Sequence, residues 1–403
     1  MIPIPRYGPL IHGRNSCSEE RSGKSRENFA LNPQILPSQI EAWEDEHEQS
    51  KFCSGIRSAC RRWHTCAKSY LLTSSWPQHH QPWFLALPIR NRGQCCYAHN
   101  PITGNWHMLS LDFFPVPVRP VASIGSLILL RSTNSTILQL AICNPFTRQF
   151  RQLPALNITR TNPAVGIVLL ESGQHGNSLC FMIYVAGGMS DAPRGGATYE
   201  STLEMYDSRD GTWQIVGSMP TEFAVRLTVW TPNDSVYADG VLYWMTSARA
   251  YSVMALEIGS NRWRELSVPL SDRLEFAALV RRNGRLTLVG GMLDGGGACI
   301  WELEEGEKWV LIENVPVELG MRLLGGKRSW GSTKCVGSDG AIWLYREIGS
   351  GMVVWRQVEG NEKWEWVWIE GCCFVRGKTV QNLIIKGVLL QPNLANSSCL
   401  LSN

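Results

Sequence analysis

The stretch Asn283-Gly284-Arg285-Leu286-Thr287-Leu288-Val289-Gly290-Gly291, with Trp309 after it in Glu305-Gly306-Glu307-Lys308-Trp309, holds the unit from which this chain is built. A turn dipeptide closed by glycine runs straight into an apolar, β-rich strand. Asn-Gly and Asp-Gly supply the positive φ that a tight hairpin turn demands, so the stretch predicts a hairpin. The same arrangement stands at Ile124-Gly125 before SLILLRS, at Asp239-Gly240 before VLYWMTS and at Asp339-Gly340 before AIWLYRE. A second signal is an aromatic in a polar turn with a short strand after it, and it gives Trp106, Phe150, Trp213, Trp263, Trp309 and Trp364. Successive aromatics lie 44 to 63 positions apart, bracketing the period of about 45 to 50 that propeller blades show. Where a repeat has both signals, the aromatic follows its turn glycine by 23 to 25 positions. Chance does not hold one offset four times.

One four-stranded antiparallel sheet per repeat follows from this spacing. A lone sheet would leave both faces wet, so the sheets must lean on each other, and closing the ring protects their edges. The expected fold is all-β, a propeller of about six four-stranded blades, with the turn aromatics packed between blades. Residues 77–390 fall to the propeller and 35–76 to a short helical segment. The polar stretches 1–34 and 391–403 read as disordered. Ser190–Ser201, polar and glycine-rich, reads as a loop inserted between the middle strands of the third repeat. Ring closure is expected from the apolar strands between Cys372 and Leu390, CCFV and LIIKGVLL, paired with the strand that starts at Trp83.

The third repeat, Ile183-Tyr184-Val185-Ala186-Gly187-Gly188-Met189, then Leu203-Glu204-Met205-Tyr206-Asp207, Thr212-Trp213 and Met219-Pro220, resembles a complete kelch motif. Gly290-Gly291 repeats its double glycine. Upstream, Ile56-Arg57-Ser58-Ala59-Cys60-Arg61-Arg62-Trp63 resembles the end of an F-box, and Leu36-Pro37 stands 24 positions before Cys60, where an F-box opens. Between them residues 41–51, EAWEDEHEQSK, put five acids where that family carries apolar core, which departs from the pattern. The pairing resembles the plant F-box/kelch proteins. The resemblance implies a substrate-receptor subunit of a Skp–cullin–F-box ubiquitin ligase, with no catalytic residue of its own. Leu36, Pro37, Ile40, Cys60 and Trp63 would meet the Skp-type adaptor, and through it a cullin, while the propeller holds a target protein. The acidic middle leaves a second reading, a kelch scaffold without ligase association.

Composition narrows the other classes. A net charge of +3 over 403 residues, without basic-aromatic interleaving, points away from nucleic acid. No uncharged apolar run approaches the roughly 20 residues of a membrane span. With no apolar leader at the N-terminus, the 13 cysteines read as reduced thiols in cytoplasm or nucleus. No histidine lies beyond His175, and Cys60-x3-His64-x-Cys66 lacks a fourth ligand, so neither a metal nor a cofactor is expected. A metal-assisted kelch-propeller enzyme is the remaining, less favoured alternative. Gly187-Gly188 and Gly295-Gly296-Gly297 read as turns rather than phosphate cradles. For target binding, the blade-to-blade loops carry Arg226, Arg273, Arg322, Lys327 and Arg328. Crowded at one mouth of the channel, they would form a basic pocket for an acidic or phosphorylated segment. Arg194 and Tyr199 on the insertion are a second candidate contact.

Overall fold

Strand alternation explains why the sheets stack. In Trp83–Pro88, Trp83, Leu85 and Leu87 belong to one buried cluster and Phe84 and Ala86 to another, because successive side chains leave a strand on opposite faces. Both faces are covered, so the segment reads as an unbroken apolar run. The computed structural model describes residues 82–89, 95–170, 179–192, 195–229, 235–358, 361–375, 378–380 and 382–392.

Six four-stranded antiparallel sheets form the blades, each ordered from its innermost strand outward. Blade 1 is Ile385–Leu390, Trp83–Pro88, Cys95–His99 and Trp106–Ser110. Blade 2 is Val118–Ile124, Leu127–Ser132, Leu140–Asn144 and Gln149–Gln152. Blade 3 is Ala164–Leu170, Cys180–Ala186, Thr202–Asp207 and Thr212–Ser218. Blade 4 is Ser235–Ala238, Val241–Ser247, Tyr251–Glu257 and Arg262–Ser267. Blade 5 is Leu274–Arg282, Arg285–Met292, Ala298–Glu304 and Lys308–Asn314. Blade 6 is Lys334–Ser338, Ala341–Tyr345, Met352–Gln357 and Trp364–Ile369. Each innermost strand touches that of the next blade, and the cycle returns to its start. The fold is a β-propeller of six blades.

Six buried apolar clusters hold the ring, one in each gap between neighbouring blades. In the gap between blades 3 and 4, Gly166 leaves a hole that the Trp244 ring fills; a Cβ there would lie 2.7 Å from it. The turn aromatics tie each blade to the one before. The Nε1 of Trp106 donates to the carbonyl of Glu370, that of Trp213 to Pro154 and that of Trp309 to Ser267, each carbonyl at the end of the preceding blade's outer strand. Trp263 stacks on Trp244, whose own Nε1 donates to Val165 of blade 3. Trp364 receives the guanidinium of Arg282, from blade 5, 4.5 Å from its ring centre. Seam closure follows the expected pairing, Trp83 opposite Leu390 through Pro88 opposite Ile385.

Four local expectations change. Asp239 and Asn283 have positive φ (48° and 50°) together with their glycines, but at the first turn only Gly125 does (58°). Asp339 and Gly340 are outside that region; Asp339 instead accepts from the Gly284 amide at 2.8 Å and pairs with Arg281, tying blade 6 to the hairpin of blade 5. In the CCFV segment, Phe374–Val375 pairs with Lys378–Thr379 in a separate hairpin rather than joining a blade. The Ser190–Ser201 insertion folds as a hairpin, Met189–Asp191 against Ala197–Tyr199. Two blade connections, read as loops, contain helices: α1, Thr221–Val229, and α2, Val317–Leu324. Glu222 and Glu318 stand in their first turns and Arg226 and Arg322 in their last, the charge order that the helix dipole favours.

Candidate functional site

Each innermost strand starts at the face that carries the blade-to-blade connections, with α1, α2 and the inserted hairpin among them. At that end the strands surround a central cavity of about 450 Å³. Its polar wall is basic. Arg119 and Arg131 are direct cross-strand partners in blade 2, and Lys386 and Lys334 line the cavity from blades 1 and 6. Lys334 Nζ donates to the Ile385 carbonyl. Burial and the neighbouring Arg119 push the Arg131 guanidinium below its ordinary range. Val165, Met245, Phe276 and Leu279, from blades 3, 4 and 5, give the cavity apolar lining. One carboxylate, Glu275, also lines it and is held by its neighbours: Ser329 Oγ donates to it at 2.5 Å and the Trp330 amide at 2.7 Å.

The residues singled out in the sequence sit elsewhere. Leu36, Pro37, Ile40, Cys60, Trp63 and Arg194 lie outside the described residues. None of Tyr199, Arg226, Arg273, Arg322, Lys327 and Arg328 is among the residues that line the cavity. Arg226 is on α1 and pairs with Glu265; Arg322 is on α2, pairs with Glu370 at 2.6 Å and covers the ring of Trp368. Arg273, Lys327 and Arg328 are exposed on their connections, and Tyr199 is exposed on the inserted hairpin. The structure therefore does not gather the five basic residues at the channel mouth.

The cavity cations escaped the sequence reading because a bulge brings them together. The hairpin register Ile124–Leu127, Ser123–Ile128, Ala122–Leu129 would, if continued, set Arg119 against Ser132. A shift between Pro120 and Ala122 places Arg131 opposite instead. Among the described residues no group of three or more His, Cys, Asp or Glu is placed to hold a metal ion. The described cysteines are free, and burial pushes the Cys96 and Cys372 thiols up to about 12. No helix of the described residues is long and apolar enough to cross a membrane.

Fold and repeat together define the class, a kelch-type six-bladed β-propeller, and residues 182–220, within blade 3 and just past it, match the Kelch motif. Along most of its length the chain is similar to plant F-box proteins. It is 23% identical to F-box only protein 6 of Arabidopsis thaliana over 338 residues, 80% of this chain and 66% of that one. It is 24% identical to Protein UNUSUAL FLORAL ORGANS of the same plant over 287 residues, 68% of this chain and 60% of that one. A chain of a nidogen/laminin complex shares 9% identity, covering 77% of this chain and 98% of that one, with a TM-score of 0.44. The present chain spans about 60 to 66% of the length of these two plant relatives. The resemblance to plant F-box/kelch proteins drawn from the residues thus holds.

Proposed function

We propose that this chain is a substrate-receptor subunit of a Skp–cullin–F-box ubiquitin ligase, with the propeller holding a target protein on its loop-bearing face. The observation that carries the reading is similarity to a plant F-box protein across 80% of the chain, joined to a propeller whose loops surround an open cavity. Rigid rings with variable loops on one face suit recognition, and the ligase chemistry belongs to other subunits, so the chain itself is a binding protein and no enzyme. Leu36, Pro37, Ile40, Cys60 and Trp63 would dock on the Skp-type adaptor, in the cytoplasm or nucleus. Co-purification of the full chain with such an adaptor tests this: retention is expected, and Trp63→Ala should abolish it. A folded chain that retains no adaptor overturns the ligase role.

A second reading has its own support. Five acids occupy residues 41–51, where the F-box pattern carries apolar core. A propeller that captures its target but never the adaptor would be a kelch scaffold, and the same co-purification, run beside target capture, separates the two.

A further inference from the structure

We infer that the central cavity receives an organic anion, a phosphate or carboxylate group carried on an apolar body. The inference deepens the receptor reading and rests on it only for what carries the anion.

Arg119 and Arg131 stand together on the cavity wall. They face each other directly across the first two strands of blade 2, a placement in which like charges repel and destabilise a sheet. Neither guanidinium has a hydrogen bond or an ion pair among the described residues. Other arginines of the propeller do find carboxylates: Arg148 with Asp112, Arg160 with Glu204, Arg282 and Arg285 with Glu302, Arg356 with Glu365. An unrelieved pair of guanidinium forks at the wall of a cavity is what a bound phosphate or carboxylate would neutralise, since each fork matches two oxygens of the anion. Burial at Arg131 strengthens the attraction by thinning the water around it. Lys386 and Lys334 extend positive charge along the wall through blades 1 and 6.

The rest of the lining sets the ligand's other half. Val165, Met245, Phe276 and Leu279 offer no partner to a second negative charge, and Glu275 would repel one. An apolar group bonded to the anion gains by turning that way. A volume of about 450 Å³ suits a ring with its phosphate or one anionic side chain of a peptide. Two carriers share this chemistry, a segment of a target protein and a free small molecule.

Phenyl phosphate titrated into the full chain by calorimetry tests the site. One saturable site is expected, tighter than that for inorganic phosphate. Arg119→Gln and Arg131→Gln should each weaken it about tenfold, the loss of one charge-assisted fork. Arg273→Gln and Arg328→Gln, outside the cavity, should leave it unchanged. Folding is controlled by the thermal midpoint, which Arg131→Gln should hold or raise by relieving the repulsion. Absence of saturation, equal affinity for inorganic phosphate, or full binding by the double arginine variant overturns the proposal. A phosphotyrosine peptide that binds more tightly than phenyl phosphate assigns the site to a target segment, and equal affinity assigns it to a free small molecule. Adaptor capture lost with anion binding kept removes the ligase role alone; the reverse removes the cavity site alone.

Discussion

Blades 3 and 5 carry the same dipeptide, Gly187-Gly188 and Gly290-Gly291, and use it differently. In blade 3 both glycines have positive φ, 66° and 93°, and the chain bends there into the inserted hairpin. The bend is clamped by a fully buried ion pair. Arg160 donates to the carbonyls of Gly187 and Thr202 and to Glu204 at 2.5 Å, while Glu204 also accepts from the amides of Asn157 and Ile158. Blade 5 keeps its glycines in the extended strand Arg285–Met292. There the missing side chain makes room: a Cβ on Gly291 would run into Trp330, which is 1% exposed and donates its Nε1 to the Gly296 carbonyl. Blade 3 needs glycine for its backbone as well as for space, since a Cβ on Gly188 would lie 2.9 Å from the Thr161 carbonyl oxygen, whereas blade 5 needs it for space alone. A shared signature therefore marks a place where the chain needs glycine without saying which property of glycine it needs.

The clamp offers the sharpest way to break this comparison. Glu204→Ala leaves Arg160 buried without its counter-charge and should cost about 3–5 kcal/mol in chemical denaturation of the full chain. Joint replacement, Arg160→Met with Glu204→Leu, removes the unpaired charge but leaves the Asn157 and Ile158 amides without their acceptor, so it should regain only part of that loss; a double variant as unstable as the single one would show that charge compensation is not what the clamp supplies. On the other side, Trp330→Ala should cost a similar amount, about 3–5 kcal/mol, by emptying the lid over Gly291. Gly291→Ala alone should cost about 1–3 kcal/mol from overpacking and much less in the Trp330→Ala background, a coupling read from a double-mutant cycle.

Blade 1 supplies a third way to bury a polar group, and acid isolates it. His99 is 4% exposed, and burial lowers its pKa from 6.5 to about 4. Between those values the unfolded chain binds a proton that the folded chain refuses. Its contribution is therefore complete above about pH 6.5 and declines toward pH 4, by roughly 3 kcal/mol, and His99→Phe should flatten that part of the stability profile. The smallest effect is expected at Gly187→Ala, about 1–2 kcal/mol from left-handed backbone strain. Trimming a neighbour should not relieve it. Relief would mean that crowding by Thr228, and not the left-handed backbone, dominates at Gly187.

Much of the ring was legible because its physics is local. The offset from turn glycine to turn aromatic is the length of chain that climbs from the inner hairpin of a blade to its outer strand, so it survives in repeats whose double glycine is gone. Blade 6 shows this: Asp339-Gly340 lies outside the expected left-handed conformation, yet Trp364 still arrives on schedule against Arg282 of blade 5. The candidate site was not legible in the same way. Arg226 and Arg322 look available in sequence, but each sits on a helix and finds a distant acid, Glu265 in the outer strand of blade 4 and Glu370 just past that of blade 6.

Sequence alone determined the repeat, the strands, the aromatics that bridge blades and the seam that joins Trp83 to Leu390. All of these depend on alternation, turn chemistry and spacing within about fifty residues. Tertiary structure alone decided which charges meet. A one-residue bulge between Pro120 and Ala122 turned Arg131 toward Arg119, and ring closure brought Lys334 and Lys386 onto the same cavity wall. The reason is that a bulge resets cross-strand partners where no alternation in the chain marks it, and that Lys334 and Lys386 come from different blades, so no period encodes the distance between them.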